Sequence, residues 1–473
     1  MNILLPILGY FLLLAVVSRL TARRRDNATF YSGGRRSPWW AVAFGMLGAS
    51  LSGVTFVSVP GMVQASDMTY LQMCLGFIPG YVLVAFVLLP VYYRLGLTSI
   101  YTYLDRRFGL SAYRTGAAFF LLSKLLGAAA RLYLVCLVLQ RLVFDAVGIP
   151  FWLSAVVILL LIWLYTRQGG IGTIVWTDCL QTLVLLTALV LIIAAFLSAE
   201  GWGIGAAIRH IGDSPMSRVF EFSDVSSRQY FWKQFLSGAF IVVVMTGLDQ
   251  DMMQKNISCR TLRDSQKNMI VNGLLYLPLN LLFLSLGVLM YLFMSHHGIA
   301  QPQSSDEVLP MLCAGGYLGQ GALIFFTLGI VAAALSSADS ALTALTTSVC
   351  VDLFRRPEDE RLRRTAHILM GILMLLVILA FRALNSTSVI DAVYTIASYT
   401  YGPLLGLFAF GLFNSRRQPR GRLVPFICIL APVLCYVLST VAAACWNYHF
   451  SYELLLLNGL LTILGLYLSS LKS

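Results

Sequence analysis

Charge is what this sequence has least of. Only 11% of its 473 residues are Asp, Glu, Lys or Arg, against 58% hydrophobic, whereas a soluble chain carries about 25% charged residues. Polar surface is too scarce to cover a water-soluble globule of this size, and a mean hydropathy of +0.80 agrees. Nine cysteines are scattered without a CxxC pair or a Cys/His cluster. That excludes a disulfide scaffold and a zinc site of the usual spacing. The five histidines, at 210, 296, 297, 367 and 449, fall in loops or near span ends, which argues against a catalytic or proton-relaying histidine deep in the membrane. No stretch is long and polar enough for a linker or soluble domain; the longest loop runs over about residues 199–231.

What is present is apolar runs. A helix needs roughly 20 apolar residues to cross hydrocarbon, and that rule predicts an all-α polytopic membrane protein with about 13 transmembrane helices. The predicted spans are 3–20, 38–63, 70–95, 114–145, 150–167, 173–198, 232–255, 269–295, 318–350, 364–382, 388–414, 422–446 and 451–470. The first has no basic residue ahead of it and ends in Arg23-Arg24-Arg25, the flank of a retained helix rather than of a cleaved signal peptide. A net charge of +12 could suggest nucleic acid, but the basic residues cluster between spans, as in loops beside an anionic leaflet. With the N-terminus outside and the C-terminus cytoplasmic, 25 of 33 Lys and Arg fall inside and 6 outside, Lys255 among the former and Lys233 among the latter. Lys124 and Arg131 lie within a span. The expected location is the plasma (inner) membrane.

Two spans are interrupted by small and polar residues. The second contains Gly45-Met46-Leu47-Gly48-Ala49-Ser50-Leu51-Ser52-Gly53-Val54-Thr55, and the seventh Met245-Thr246-Gly247-Leu248-Asp249-Gln250-Asp251. Five spans apart, they cross in opposite directions, which is the pointer to an inverted-repeat transporter. A break inside the bilayer is tolerable only around a cavity or an ion; close helix packing at Gly and Ser is the alternative. Asp178 and Asp339 lie within the sixth and ninth spans, where a charge marks function unless it is paired.

Four motifs in order carry a resemblance: Ala49 to Phe56 with Pro60-Gly61; Gly169-Gly170 with Trp176-Thr177-Asp178 and Gln181; Gly247-Leu248-Asp249-Gln250 with Gln254; and Ser336-Ser337-Ala338-Asp339-Ser340-Ala341-Leu342. On these the chain resembles the sodium:solute symporter family over nearly its whole length, most closely the sialic acid branch. The resemblance implies a LeuT-like fold of five plus five inverted helices. Residues 38–198 would form the first repeat and 232–414 the second, with an extra helix at 3–20 and two at 422–470, all one transporter domain. It implies a main sodium site built by Gly48, Leu51, Ala333, Ser336 and Ser337. Leu51 and the two serines each lie about 20 Å from the inner end of their span, so they can meet at one depth. The serines could instead bond back to their own helix. A second cation site would use Asp178, Ser336, Asp339 and Ser340, with Asp339 departing from the family's hydroxyl; Asp339 could also hold a proton or pair with Lys124.

For substrate, the resemblance implies Ser52, Thr55 and Gln72, with Asp249 and Gln250 facing solute or inner gate. Lys124 and Arg131, seven residues apart on one helix face, could clamp a substrate carboxylate or neutralise Asp178 or Asp339. The expectation is therefore a sodium-coupled symporter, not an enzyme, importing a small acidic or hydroxyl-rich solute by alternating access, a sialic acid-like sugar foremost. Alternatives are a proton-coupled carrier of the same fold, or a sodium-coupled carrier of neutral sugars, amino acids or monocarboxylates. Sodium is the only metal expected. No cofactor or nucleic acid is expected, and the unit in the bilayer is a monomer, with oligomers left open.

Overall fold

A computed structural model describes residues 4–21, 27–384, 389–414, 416–446 and 448–471. The predicted flank Arg23-Arg24-Arg25, and Lys472, lie outside the described residues. Among the described residues every regular element is a helix, with one isolated parallel bridge between Ser37 and Cys259 and no strand.

The helices used below are α1 (Leu4–Thr21), α2 (Trp39–Ser50), α3 (Gly53–Gly61), α4 (Tyr70–Leu95), α5 (Leu110–Phe144), α6 (Phe151–Glu200), α7 (Phe231–Gly247), α8 (Gln250–Ile257), α9 (Leu262–His296), α10 (Gly319–Leu353), α11 (Glu360–Leu384), α12 (Val389–Thr400), α13 (Gly402–Phe413), α14 (Gly421–Trp446) and α15 (Leu454–Ser470). Eight are long and apolar enough to cross a membrane among the described residues, or up to eleven if each bent pair is one span; Leu454–Ser470 and the stretch Phe151–Leu164 are apolar but shorter.

The bent pairs are where the second, seventh and eleventh predicted spans lie: α2–α3 bends by 52°, α7–α8 by 65° and α12–α13 by 44°. The fifth and sixth predicted spans are continuous in helical hydrogen bonding but turn at Gly170, whose φ of 54° and ψ of −162° break the helical path. Glycine is required there twice over. The left-handed φ disfavours a side chain, and a Cβ would lie 2.3 Å from the Phe30 backbone.

Close helix crossings explain many of the small residues. On α2, a Cβ at Gly48 would sit 1.9 Å from Thr182 Oγ1, and one at Gly45 2.9 Å from Asp178 Cβ. Those glycines let α2 lie against α6, the usual role of small residues where membrane helices cross closely. The sequence alternative therefore holds for Gly45 and Gly48, while the break itself falls at Leu51 and Ser52. The densest packing joins α6 to α10 and α7 to α4. The latter crossing is reciprocal: a Cβ at Gly76 would meet the Phe235 carbonyl at 2.0 Å, and one at Gly238 the Met73 carbonyl at 2.2 Å. Both obstacles are backbone. Gly238→Ala should therefore destabilise the protein by about 1–3 kcal/mol through forced helix separation, read as a lowered thermal midpoint of the detergent-solubilised protein. Gly127→Ala, which meets nothing within 4 Å, should leave the midpoint in place.

Candidate solute and cation site

Breaking a helix frees backbone groups that must find partners. In the α7–α8 break they do. Tyr92 donates to the Gly247 carbonyl at 2.8 Å and Tyr101 to the Leu248 carbonyl at 2.7 Å. The Asp249 carboxylate accepts the Asp251 N–H at 2.9 Å, capping α8. In the α2–α3 break, Leu51 turns out of the helix (φ −80°, ψ 73°) and Ser52 is extended. Tyr276 donates to the Ser50 carbonyl at 3.1 Å. The side chains of Ser52 and Thr55 are buried and bond to no protein group among the described residues, and they line a central cavity.

That cavity lies between α2–α3, α4, α5, α7–α8, α9 and α12–α13. Lys124 and Arg131 of α5 both reach it, together with Asp249, Tyr81, Tyr276, Tyr394 and Tyr401. The two cations are in different circumstances. The Lys124 ammonium is 2.7 Å from Asp251 Oδ2 and 3.2 Å from both Asp249 oxygens. Arg131 makes no ion pair among the described residues. Tyr401 donates to Asp249 Oδ2 at 2.6 Å, so both Asp249 oxygens are engaged.

A second pair continues the pattern away from the cavity. The Lys255 ammonium is 2.7 Å from Asp178 Oδ2 and 3.9 Å from Asp251 Oδ1. Ser336 donates to Asp178 Oδ1 at 2.7 Å, and Ser340 to Asp339 Oδ1 at 3.1 Å. The result is an alternating series, Lys124–Asp251–Lys255–Asp178, joining α5 to α8 to α6 and ending at α10. Each member is buried, Lys255 to 1% exposure and Asp178 to 0%. Charges so placed persist only because each neutralises its neighbour.

Three sequence expectations change here. Lys124 does not pair with Asp178 or Asp339; its carboxylates are Asp249 and Asp251. Lys255 is not a loop residue, as its position at a span end suggested, but the partner of Asp178. Lys233 is likewise buried, with its ammonium 4.0 Å from Glu453 and over the Tyr448 ring. Asp251 and Lys255 went unassigned by sequence reasoning, although for Asp251 a charge inside an apolar span was the signal that would have found it.

Other expected residues stand apart from the cavity. Gln72 donates to the Gln229 carbonyl at 2.9 Å and the Thr69 carbonyl at 3.2 Å, and accepts the Glu221 N–H at 3.0 Å. Its amide therefore anchors the loop at 214–230, where Ser223 holds the Glu221 carboxyl below the usual carboxylate range. Gln250 bonds the Thr98 carbonyl at 2.9 Å and the Ile100 N–H at 3.0 Å. Ser337 donates back to the Ala333 and Ala334 carbonyls, both at 3.1 Å, the back-bonding that sequence allowed. A hydroxyl that donates keeps its lone pairs for a cation. Leu51 is fully buried, and both halves of the broken span pack on α10. His367 is buried rather than peripheral, held between Thr166 at 3.1 Å and Thr346 at 2.9 Å.

The model of the sodium:solute symporter family matches residues 30–428. The chain belongs to that family. Relatives of this symporter include the human sodium/iodide cotransporter, 25% identical over 82% of this chain and 62% of its own length. They also include the sodium/sialic acid symporters NanT of Aliivibrio fischeri, 26% identical over 87% of this chain and 83% of its own, and SiaT of Proteus mirabilis, 25% identical over 90% and 87%. The symporter thus spans less than two thirds of the iodide cotransporter and most of the bacterial proteins. In fold it matches a Na+-coupled sialic acid symporter solved in a substrate-bound outward-open state, with a TM-score of 0.83, 22% identity, and 100% of this chain and 98% of that one covered. MhsT bound to L-phenylalanine follows at a TM-score of 0.52, 16% identity, and 92% and 99% coverage. The fold of this symporter is LeuT-like, and its relatives are transporters, not enzymes.

The buried series makes a prediction. Lys255→Ala leaves the buried Asp178 carboxylate without its cation, so it should cost about 3–5 kcal/mol and lower the thermal midpoint sharply. Lys255→Met combined with Asp178→Leu should recover most of the loss, because the pair leaves together while Lys124 keeps Asp249 and Asp251.

Proposed function

We propose that this protein imports a small carboxylate-bearing solute with sodium by alternating access. The observation that carries the reading is Arg131: a guanidinium at the wall of the central cavity, without a protein counter-ion among the described residues. The same lining includes Ser52 and Thr55, at the start of α3. An unneutralised arginine beside free hydroxyls and helix-start N–H groups suits a carboxylate. Lys124, tied to two aspartates, is the weaker candidate for that role. Sialic acid, named for two relatives, and the monocarboxylates named for others are both carboxylates. A sialic acid-like sugar thus remains within the class.

For the ion, Gly48, Leu51, Ala333, Ser336 and Ser337 are the proposed main sodium ligands. Backbone carbonyls and hydroxyls supply oxygen without full charge, and the Leu51 turn supplies carbonyls a regular helix would keep. Asp178 and Asp339 add negative potential nearby. A second sodium at Asp178 would compete with the Lys255 ammonium already there. Solute would arrive through a second, larger cavity lined by Met62, Ser66, Tyr70, Arg228 and Asp391, divided from the first by the 2.8 Å bond between the Tyr70 and Tyr394 hydroxyls. By the charge asymmetry that cavity faces outside, with the N-terminus outside and the C-terminus cytoplasmic in the plasma (inner) membrane. Thirteen crossings and two inverted repeats, 38–198 and 232–414, complete the topology, and the unit is a monomer.

Uptake into proteoliposomes tests the reading. An inward sodium gradient should drive carboxylate accumulation, whereas a pH gradient in sodium-free buffer should not; the reverse would favour proton coupling. Ser336→Ala should raise the half-saturating sodium concentration about tenfold or more. An unchanged sodium dependence would remove the assigned ion site. Arg131→Gln should abolish solute binding while sodium still raises the thermal midpoint.

A further inference from the structure

Taking the central cavity as the solute site, as proposed above, we infer that its cargo is a monocarboxylate with an apolar, ring-bearing body, not a polyhydroxylated sugar acid. The lining combines a few polar side chains with a larger apolar set. Among the described residues, Arg131, Ser52 and Thr55 line it without a protein hydrogen bond, and Tyr81 pairs with Ser50 and Thr246. Most of the other polar groups in the lining already have protein partners, which leaves them little donor capacity. Lys124 and Tyr401 are on Asp249, Tyr276 is on the Ser50 carbonyl, Tyr394 is on Tyr70, and Ser123 bonds the Phe119 carbonyl at 2.6 Å.

Polyols are recognised chiefly by amides, which accept and donate at once, and by carboxylates, whose two oxygens accept from neighbouring hydroxyls. Among the described residues of the lining there is no Asn, Gln, Glu or His, and the single carboxylate has both oxygens engaged. The two glutamines that sequence placed at the site, Gln72 and Gln250, are consumed by loops elsewhere. The apolar part of the lining includes Phe77, Ile241, Val242, Met245, Met252 and Val393. Methionine and aromatic walls of this kind suit a flat or branched hydrocarbon. Each hydroxyl of a sugar buried against them would lose its water without a replacement, costing about tenfold in affinity per group.

The probes are phenylacetate, carrying one carboxylate on a ring, and N-acetylneuraminate, carrying one carboxylate on a polyol. The full-length protein in proteoliposomes, under an inward sodium gradient at pH 7.5, should take up labelled phenylacetate at least tenfold more efficiently than labelled N-acetylneuraminate. Excess 4-methylpentanoate should compete, and Arg131→Gln should abolish the phenylacetate signal. Sodium-driven uptake of N-acetylneuraminate with no uptake of phenylacetate would overturn the inference and leave sodium symport standing. Failure of sodium to stimulate uptake of either probe, in protein whose thermal midpoint shows it folded, would overturn the underlying reading and this inference together. A Phe77→Gln variant adds an independent readout: phenylacetate efficiency should fall and N-acetylneuraminate efficiency rise. A change in the same direction for both would contradict selection by the apolar wall.

Discussion

The structure depends on a line of buried charges that must alternate. Lys124, Asp251, Lys255 and Asp178 come from three separate elements, α5, α8 and α6, and none is exposed beyond 4%. Each would be intolerable alone in a lipid-surrounded interior. Together they pin α8, the second half of the α7–α8 broken span, against α5 and α6. Ser336 extends the line to α10, where the proposed sodium ligands lie. A perturbation at the solute cavity thus has a physical route to the ion region, because Lys255 stands between two carboxylates and is closer to one than to the other.

The broken helices make this arrangement affordable in backbone terms. At Gly247 and Leu248 the freed carbonyls are taken by tyrosines of α4 and of the loop that follows it, and Asp249 caps the helix that restarts. At Leu51 and Ser52 the satisfaction is less complete, and the free hydroxyls face the cavity. One break is closed by protein and the other keeps polar groups available. That asymmetry matches a division of labour in which α7–α8 carries the charge line while α2–α3 offers itself to solute and cation.

Much of the fold was legible in the sequence because hydrocarbon imposes a length on every crossing. The interruptions of the second and seventh spans stood out as departures from plain aliphatic runs, whereas the bend in the eleventh span and the helical continuity across Gly170 did not. The site was legible only in part. Ser52, Thr55, Lys124, Arg131 and Asp249 do reach one cavity, because glycine breaks and charged residues in apolar surroundings are rare and hence conspicuous. Gln72 and Gln250 misled because an amide looks the same whether it meets solute or ties down a loop; only its partners distinguish the two. Lys255 was hidden by its place at a predicted span end, where a lysine ordinarily reaches for water. Its burial follows from the tertiary placement of Asp178, which no local pattern records.

The central claim is that the broken span and α10 enclose a sodium ion. Thermal unfolding of the purified protein, with sodium exchanged for choline at constant ionic strength, tests it most directly. Binding to the folded state alone predicts a midpoint that climbs with the logarithm of sodium concentration above the dissociation constant, and that Ser336→Ala displaces to higher sodium. Superimposable curves in sodium and choline would contradict the account.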